Sequence, residues 1–157
     1  MKLSTKGRYA VMAMVDLAQH GRASGGPVVL AGIARRQEIS LSYLEQLFSK
    51  LRKCGLVSSV RGPGGGYRLG RPAEELRISE IVLAVDEPMR QTRCKGEEHE
   101  GCMSDKSRCL THDLWEALGD EIYTFLSSVS LADVCERRLQ RPEHRVPQPL
   151  PSAASRA

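Results

Sequence analysis

Three cysteines and a histidine stand close together in an otherwise patternless stretch of this 157-residue chain: Cys94, Cys102, Cys109 and His112. Seven residues separate the first two cysteines and six the next two, and His112 follows Cys109 by three positions. Connections of that length reach back over a few ångströms without strain. Three thiolates and one imidazole make a ligand set for an iron–sulphur cluster, where imidazole in place of thiolate raises the reduction potential. The same groups suit tetrahedral zinc, although structural zinc usually takes paired short spacings and only the Cys109–His112 interval is short. Three unligated thiols on one loop are the plainer alternative, weakened because free cysteines are usually buried singly. His99 reads as a solvated loop residue, and Cys54 and Cys135, on helices, as structural or incidental. Five cysteines without regular spacing favour metal or redox chemistry in a cytoplasmic protein over a disulfide framework.

A second set of residues has the chemistry to read a duplex. Ser40, Ser42, Tyr43, Glu45 and Gln46 sit at the N-terminal end of a helical pattern, where side chains can meet base edges. Gln pairs with adenine, Glu accepts from a cytosine amino group, and Ser serves either. Against this, Ser40 or Ser42 could simply cap the helix, and Ser42 with Glu45 fits a capping box. Arg61 and Arg68 flank a run of glycines including Gly64 and Gly65, where an arginine can clamp phosphate or enter a narrow minor groove. Lys6 and Arg8, at a helix start, are placed to touch backbone phosphate or nothing.

The elements that must hold these groups follow from periodicity. Residues 4–20 predict a helix capped by Ser4 or Thr5 and stopped at Gly21. A short helix from Leu30 to about Glu38 precedes a third over 42–54, with Leu44, Leu47, Phe48 and Leu51 inward and Gly55 as terminator. Two short helices joined by QEIS, the second with a polar and basic outer face, match helix-turn-helix. Leu56–Val60 and Tyr67–Leu69 predict a hairpin around RGPGGG, which is a wing. Its three consecutive glycines let backbone lie close against something, a groove wall being one candidate. A nucleotide-binding loop is excluded because no GK[ST] follows and no helix starts there. Ile78–Val85 predicts a short helix, 88–108 a polar loop, and His112 to about Ser128 an amphipathic helix with an apolar stripe of Leu114, Trp115, Leu118, Ile122, Phe125, Leu126 and Val129. That stripe is too broad for a small winged domain to cover, so it predicts packing against a two-fold mate. Ser130–Asp133 resembles a capping box opening a last turn.

The expected fold is mainly α with a small β-hairpin wing: a winged helix-turn-helix over 1–71, a connecting helix over 72–88, a metal-binding loop over 89–112, a dimerisation helix over 112–136 and a disordered tail over 137–157. Charge agrees with that division. Residues 1–71 carry 12 Lys/Arg against 3 Asp/Glu, net +9, whereas residues 72–134 carry 6 against 14, net −8. A basic half beside an acidic one is the pattern of a polyanion-binding domain joined to one that does not bind. Only 4% aromatic residues argues against reading single strands by base stacking. No secretory signal or membrane-spanning run is visible, and no paired acid–base or nucleophile–base arrangement suggests an enzyme. A metal-stabilised interaction module with an incidental basic half is the rival from another class.

Taken in order, ISLSYLEQLFSKLRK, GLVSSVRGPGGGYRL and CLTHDLW resemble the iron–sulphur cluster assembly regulators (IscR) of proteobacteria over about residues 1–135. The resemblance implies a homodimer that binds double-stranded promoter DNA, carries a 2Fe–2S cluster received from donor proteins, and controls cluster-biogenesis genes. Position by position it implies Cys94, Cys102, Cys109 and His112 as ligands, and Ser40, Ser42, Tyr43, Glu45, Gln46, Arg61 and the wing glycines as DNA-facing. The cysteine intervals here are longer than the family's usual ones. Related repressors responsive to nitric oxide or iron lack the histidine in this Cys-Leu-Thr-His context.

Overall fold

The computed structural model describes residues 5–85, 102–103, 105 and 107–139. Cys94, His99 and the tail from 140 onward lie outside the described residues, as does Ser4. Helices α1 (Thr5–Ser24), α2 (Leu30–Gln37) and α3 (Leu41–Lys53) lead into strands β1 (Val57–Val60) and β2 (Gly66–Leu69). Helices α4 (Ile78–Ala84), α5 (His112–Ser128) and α6 (Leu131–Cys135) follow.

Helix α1 does not stop at Gly21; it runs one turn further, to Ser24. The Gly25 N–H donates to Gly21 O at 3.0 Å, and Gly25, with φ +65°, takes the left-handed position that ends the helix. Gly21 keeps ordinary helical geometry, which its lack of a side chain weakens but does not forbid. Between α2 and α3 the chain turns through Glu38, a non-glycine residue in the left-handed region at φ 55°, whose N–H returns to Ala34 O. Ser40 is then the cap of α3, its hydroxyl accepting from the Tyr43 N–H at 3.3 Å. Ser42 therefore lies inside the helix, and the capping box expected of Ser42 and Glu45 does not form.

Strands β1 and β2 pair antiparallel, Val57 opposite Leu69 and Val60 opposite Gly66. Val28, just before α2, adds a third pairing that the sequence pattern did not announce: Val28 and Tyr67 exchange two backbone hydrogen bonds of 2.8 Å. One continuous core gathers Met14 and Leu17 of α1, Ile33 of α2, Leu44, Phe48 and Leu51 of α3, Ile81 of α4 and Leu131 of α6, each at most 1% exposed. The inward face of α3 is the one its three- and four-residue spacing predicted.

Asp16 is buried in that core at 2% exposure. Arg36 of α2 bonds both of its carboxylate oxygens, Gln37 Nε2 donates to Oδ2 at 2.8 Å, and His20 Nδ1 lies 3.3 Å from Oδ1. Burial alone would raise the Asp16 carboxyl, but the bonds from Arg36 and Gln37 outweigh it and hold the group below its ordinary value of 3.8. An acid placed inside the apolar run Met12–Leu17 was the available sequence signal for this tie between α1 and α2.

Helix α5 is anchored at its far end. The Ile78 N–H donates to Val129 O at 3.0 Å and the Leu131 N–H to Leu76 O at 2.8 Å. Ser130 then opens α6 with the expected capping box, Ser130 and Asp133 bonding each other's backbone N–H. Helix α6 folds back on α1, with the half-buried Cys135 thiol raised by burial.

Candidate nucleic-acid interface and metal centre

Helix α3 buries Leu44, Leu47, Phe48 and Leu51, so the helical period leaves Ser42, Glu45, Gln46, Arg52 and Lys53 in a row on the exposed side. Arg52 and Lys53, at the far end of this row, extend the polar stripe with positive charge. Tyr43 stands apart from it: the ring is half-buried, edge-on to Tyr9 with centroids 6.1 Å apart. Ser40 is exposed but its hydroxyl oxygen already accepts the capping hydrogen bond, leaving its proton to donate. Lys6 and Arg8 are exposed on the first turns of α1.

The wing places Arg61 in solvent at the end of β1 and Arg68 on β2. Its glycines divide by role. A Cβ on Gly65 would lie 2.4 Å from Val60 O, so that glycine answers to crowding inside the hairpin. Gly64, at φ +74°, faces open space, where backbone can approach another surface. Smoothness against a partner molecule is thus only part of why the run is glycine.

At the opposite end of α5, the described part of the cysteine loop converges on the helix start. The Met103 N–H donates to Ser107 O at 3.1 Å, and Ser107 bonds Asp105 Oδ1 through both its N–H and its hydroxyl. This tight turn returns the chain so that Cys102 Sγ lies 3.1 Å from His112 Nδ1. Cys109 is held by the His112 N–H donating to its carbonyl at 3.0 Å. His112 is 5% exposed, although it is the first residue of α5, and its Nε2 lies 3.7 Å from Glu116 Oε2 one turn on. His112, Asp113 and Glu116 also bring nitrogen and oxygen donors together, but both carboxylates are exposed. The structure thus brings Cys102 and His112 into contact, whereas Cys109, tied to His112 through its backbone, turns its thiol to Thr111 Oγ1 at 3.7 Å.

Part of the apolar face of α5 is bare, while Leu118, Ile122, Leu126 and Val129 are half-buried. Leu114 is 62% exposed, Trp115 41%, Tyr123 49% and Phe125 44%, and α4 is the helix it packs against. No helix among the described residues is long and apolar enough to cross a membrane.

Comparison with known proteins agrees with this architecture. Residues 3–137 match the Rrf2 family, described as iron-dependent transcriptional regulators. The chain is 60% identical over 134 residues to the HTH-type transcriptional regulator IscR of Photorhabdus laumondii, covering 85% of this chain and 79% of that protein. Among solved structures it superposes on T. potens IscR with a TM-score of 0.69 at 38% identity, covering 90% of this chain and 94% of the other. It likewise superposes on CymR, the global cysteine regulator of B. subtilis, with a TM-score of 0.70 at 33% identity, covering 87% and 98%. These relatives are named for regulation, not catalysis. An exposed polar face on the second helix of a helix-turn-helix, a glycine wing beside it and a match along nearly the whole fold lead to one conclusion: the chain belongs to the Rrf2 family and is a DNA-binding transcriptional regulator of the winged-helix type.

Proposed function

We propose that this regulator is a homodimer whose hold on double-stranded promoter DNA depends on a 2Fe–2S cluster held by Cys94, Cys102, Cys109 and His112, and that it controls genes of cluster biogenesis. The observation that carries the proposal is the 3.1 Å approach of Cys102 Sγ to His112 Nδ1 at the first residue of α5. A thiol and a buried imidazole brought that close, on a loop that carries further cysteines, are donors suited to iron–sulphur ligation. When bound, the cluster would supply a redox-sensitive and oxidant-labile link between loop and helix. In this reading residues 1–71 bind DNA, 89–112 hold the cluster and 112–136 make the dimer. Donor proteins load the site in the cytoplasm, where thiols stay reduced.

The chain's own residues supply the coupling. Helix α5 spans about 25 Å at 1.5 Å per residue, with His112 at one end and the backbone anchor to Leu76 and Ile78 at the other. Its bare Leu114, Trp115, Tyr123 and Phe125 pack against the same face of a second copy. Fixing the His112 end therefore biases the angle between two reading heads. A coupling of about 1–3 kcal/mol changes affinity roughly 5–150-fold. At the reading heads, Gln46 and Glu45 face base edges, Ser40 and Ser42 donate nearby, and Arg61, Lys6 and Arg8 meet phosphate. Tyr43, half-buried and edge-on to Tyr9, joins the DNA-facing set at the margin of that surface.

A gel shift on genomic fragments, comparing anaerobically purified and chelator-stripped protein, tests the proposal. Affinity or site preference should differ between the two forms and fall steeply with salt. Equal binding by both, or a colourless preparation holding zinc in place of iron and sulphide, would refute the sensor.

A further inference from the structure

Thr111 occupies the cap position of α5, yet its side chain makes no capping hydrogen bond to the helix backbone. Threonine at a cap ordinarily accepts from an N–H of the first turn. Here its hydroxyl is turned to two other groups. The Trp115 indole Nε1–H donates to Thr111 Oγ1 at 3.1 Å, and Cys109 Sγ lies 3.7 Å from the same oxygen.

The direction of this chain of contacts follows from the groups themselves. An indole nitrogen can only donate, so the Thr111 oxygen accepts from Trp115. A ligating cysteine is a thiolate and can only accept. The one proton left between oxygen and sulphur is the hydroxyl's own. We propose that Thr111 is a positioning residue for the cluster, donating its hydroxyl hydrogen to the Cys109 thiolate while Trp115 holds that hydroxyl in place. The inference rests on the cluster-binding role of Cys109 proposed above.

Two consequences follow. A reduced cluster carries more negative charge on its sulphurs than an oxidised one, so a hydrogen bond to a ligating sulphur favours reduction and raises the potential. The fixing group, Trp115, also lies on the bare face of α5 at 41% exposure. A second copy packed on that face would hold the indole, and through Thr111 the sulphur, so dimer contact and cluster potential become linked.

The chain contains a single tryptophan, so its indole gives one unambiguous N–H resonance in a proton–nitrogen NMR spectrum. In cluster-free protein, Thr111→Val should move that resonance to the position of an unbonded indole, and Thr111→Ser should leave it near the parent. In the loaded protein, redox titration of Thr111→Val should show a potential lower by about 59 mV, the equivalent of a tenfold shift toward the oxidised form in a one-electron couple; Thr111→Ser should retain the parent value. An indole resonance indifferent to Thr111→Val, or a loaded Thr111→Val protein with the parent potential, overturns the relay while leaving the ligand set intact. A parent protein that binds neither iron nor sulphide overturns the cluster role itself, and the relay with it.

Discussion

Replacing Arg36 by alanine removes the cation from the Asp16 carboxylate without touching the apolar core. Asp16 is 2% exposed, and the substitution leaves it only the Gln37 amide and the neighbouring His20. Removing one partner of a buried ion pair usually costs about 3–5 kcal/mol, because the other charge is stranded. Arg36 is itself 36% exposed and two donors remain, so the expected loss is about 2–3 kcal/mol. For a protein of this size that is a Tm lower by roughly 5–10 °C. The loss has a pH signature. In the parent, the Asp16 carboxyl is held below 3.8, so its contribution is complete above that value and disappears as pH falls through the lowered folded value. Without Arg36, most of what offsets burial is gone and the folded value rises relative to the parent's, so the variant loses less than the parent as the carboxyl protonates. The penalty should therefore be largest near neutrality and shrink toward acid. Thermal unfolding at fixed protein concentration, at neutral pH and again below 3.8, measures it. An Asp16→Leu/Arg36→Leu double variant should recover much of the loss, since it removes charge and countercharge together. A penalty equal at both pH values, together with a double variant no more stable than Arg36→Ala, would show that the stranded charge was not its cause.

On the DNA face, Gln46→Ala should relax sequence preference by about 1–3 kcal/mol at one base position, whereas Arg61→Ala should weaken all sequences alike and reduce the salt slope by about one; titrations at several salt concentrations separate the two. Gly65→Ala places a Cβ 2.4 Å from Val60 O and should disorder the wing, while Gly64→Ala meets open space and should cost only about 1–2 kcal/mol for its left-handed backbone; amide resonances of Val57–Leu69 report both. Leu114→Asp with Phe125→Asp, at positions 62% and 44% exposed in the single chain, should shift the protein to monomer in sedimentation while leaving its helix content unchanged.

Much of this molecule is written locally. The inward face of α3, the breadth of the apolar stripe on α5 and the capping box at Ser130 are read from side-chain identity alone, because helix period and cap chemistry act over a few residues. The four candidate ligands and the polar start of α3 are likewise legible as residue types at given spacings. Other features required the chain to meet itself. Nothing near Val28 signals that it will pair with Tyr67, since a single exchange of backbone bonds leaves no periodicity. Glu38 takes a left-handed backbone because α2 and α3 must cross in the core, not because glutamate prefers it. Gly21, expected from sequence to stop α1, lies inside it, and the helix ends only at Gly25 one turn on. The contact of Cys102 with His112 is a distance between groups ten residues apart, closed by the turn of the loop between them. Sequence determined which chemistry was present and on what kind of element; tertiary structure decided which of those groups touch, because contact depends on where whole elements pack and no local rule carries that information.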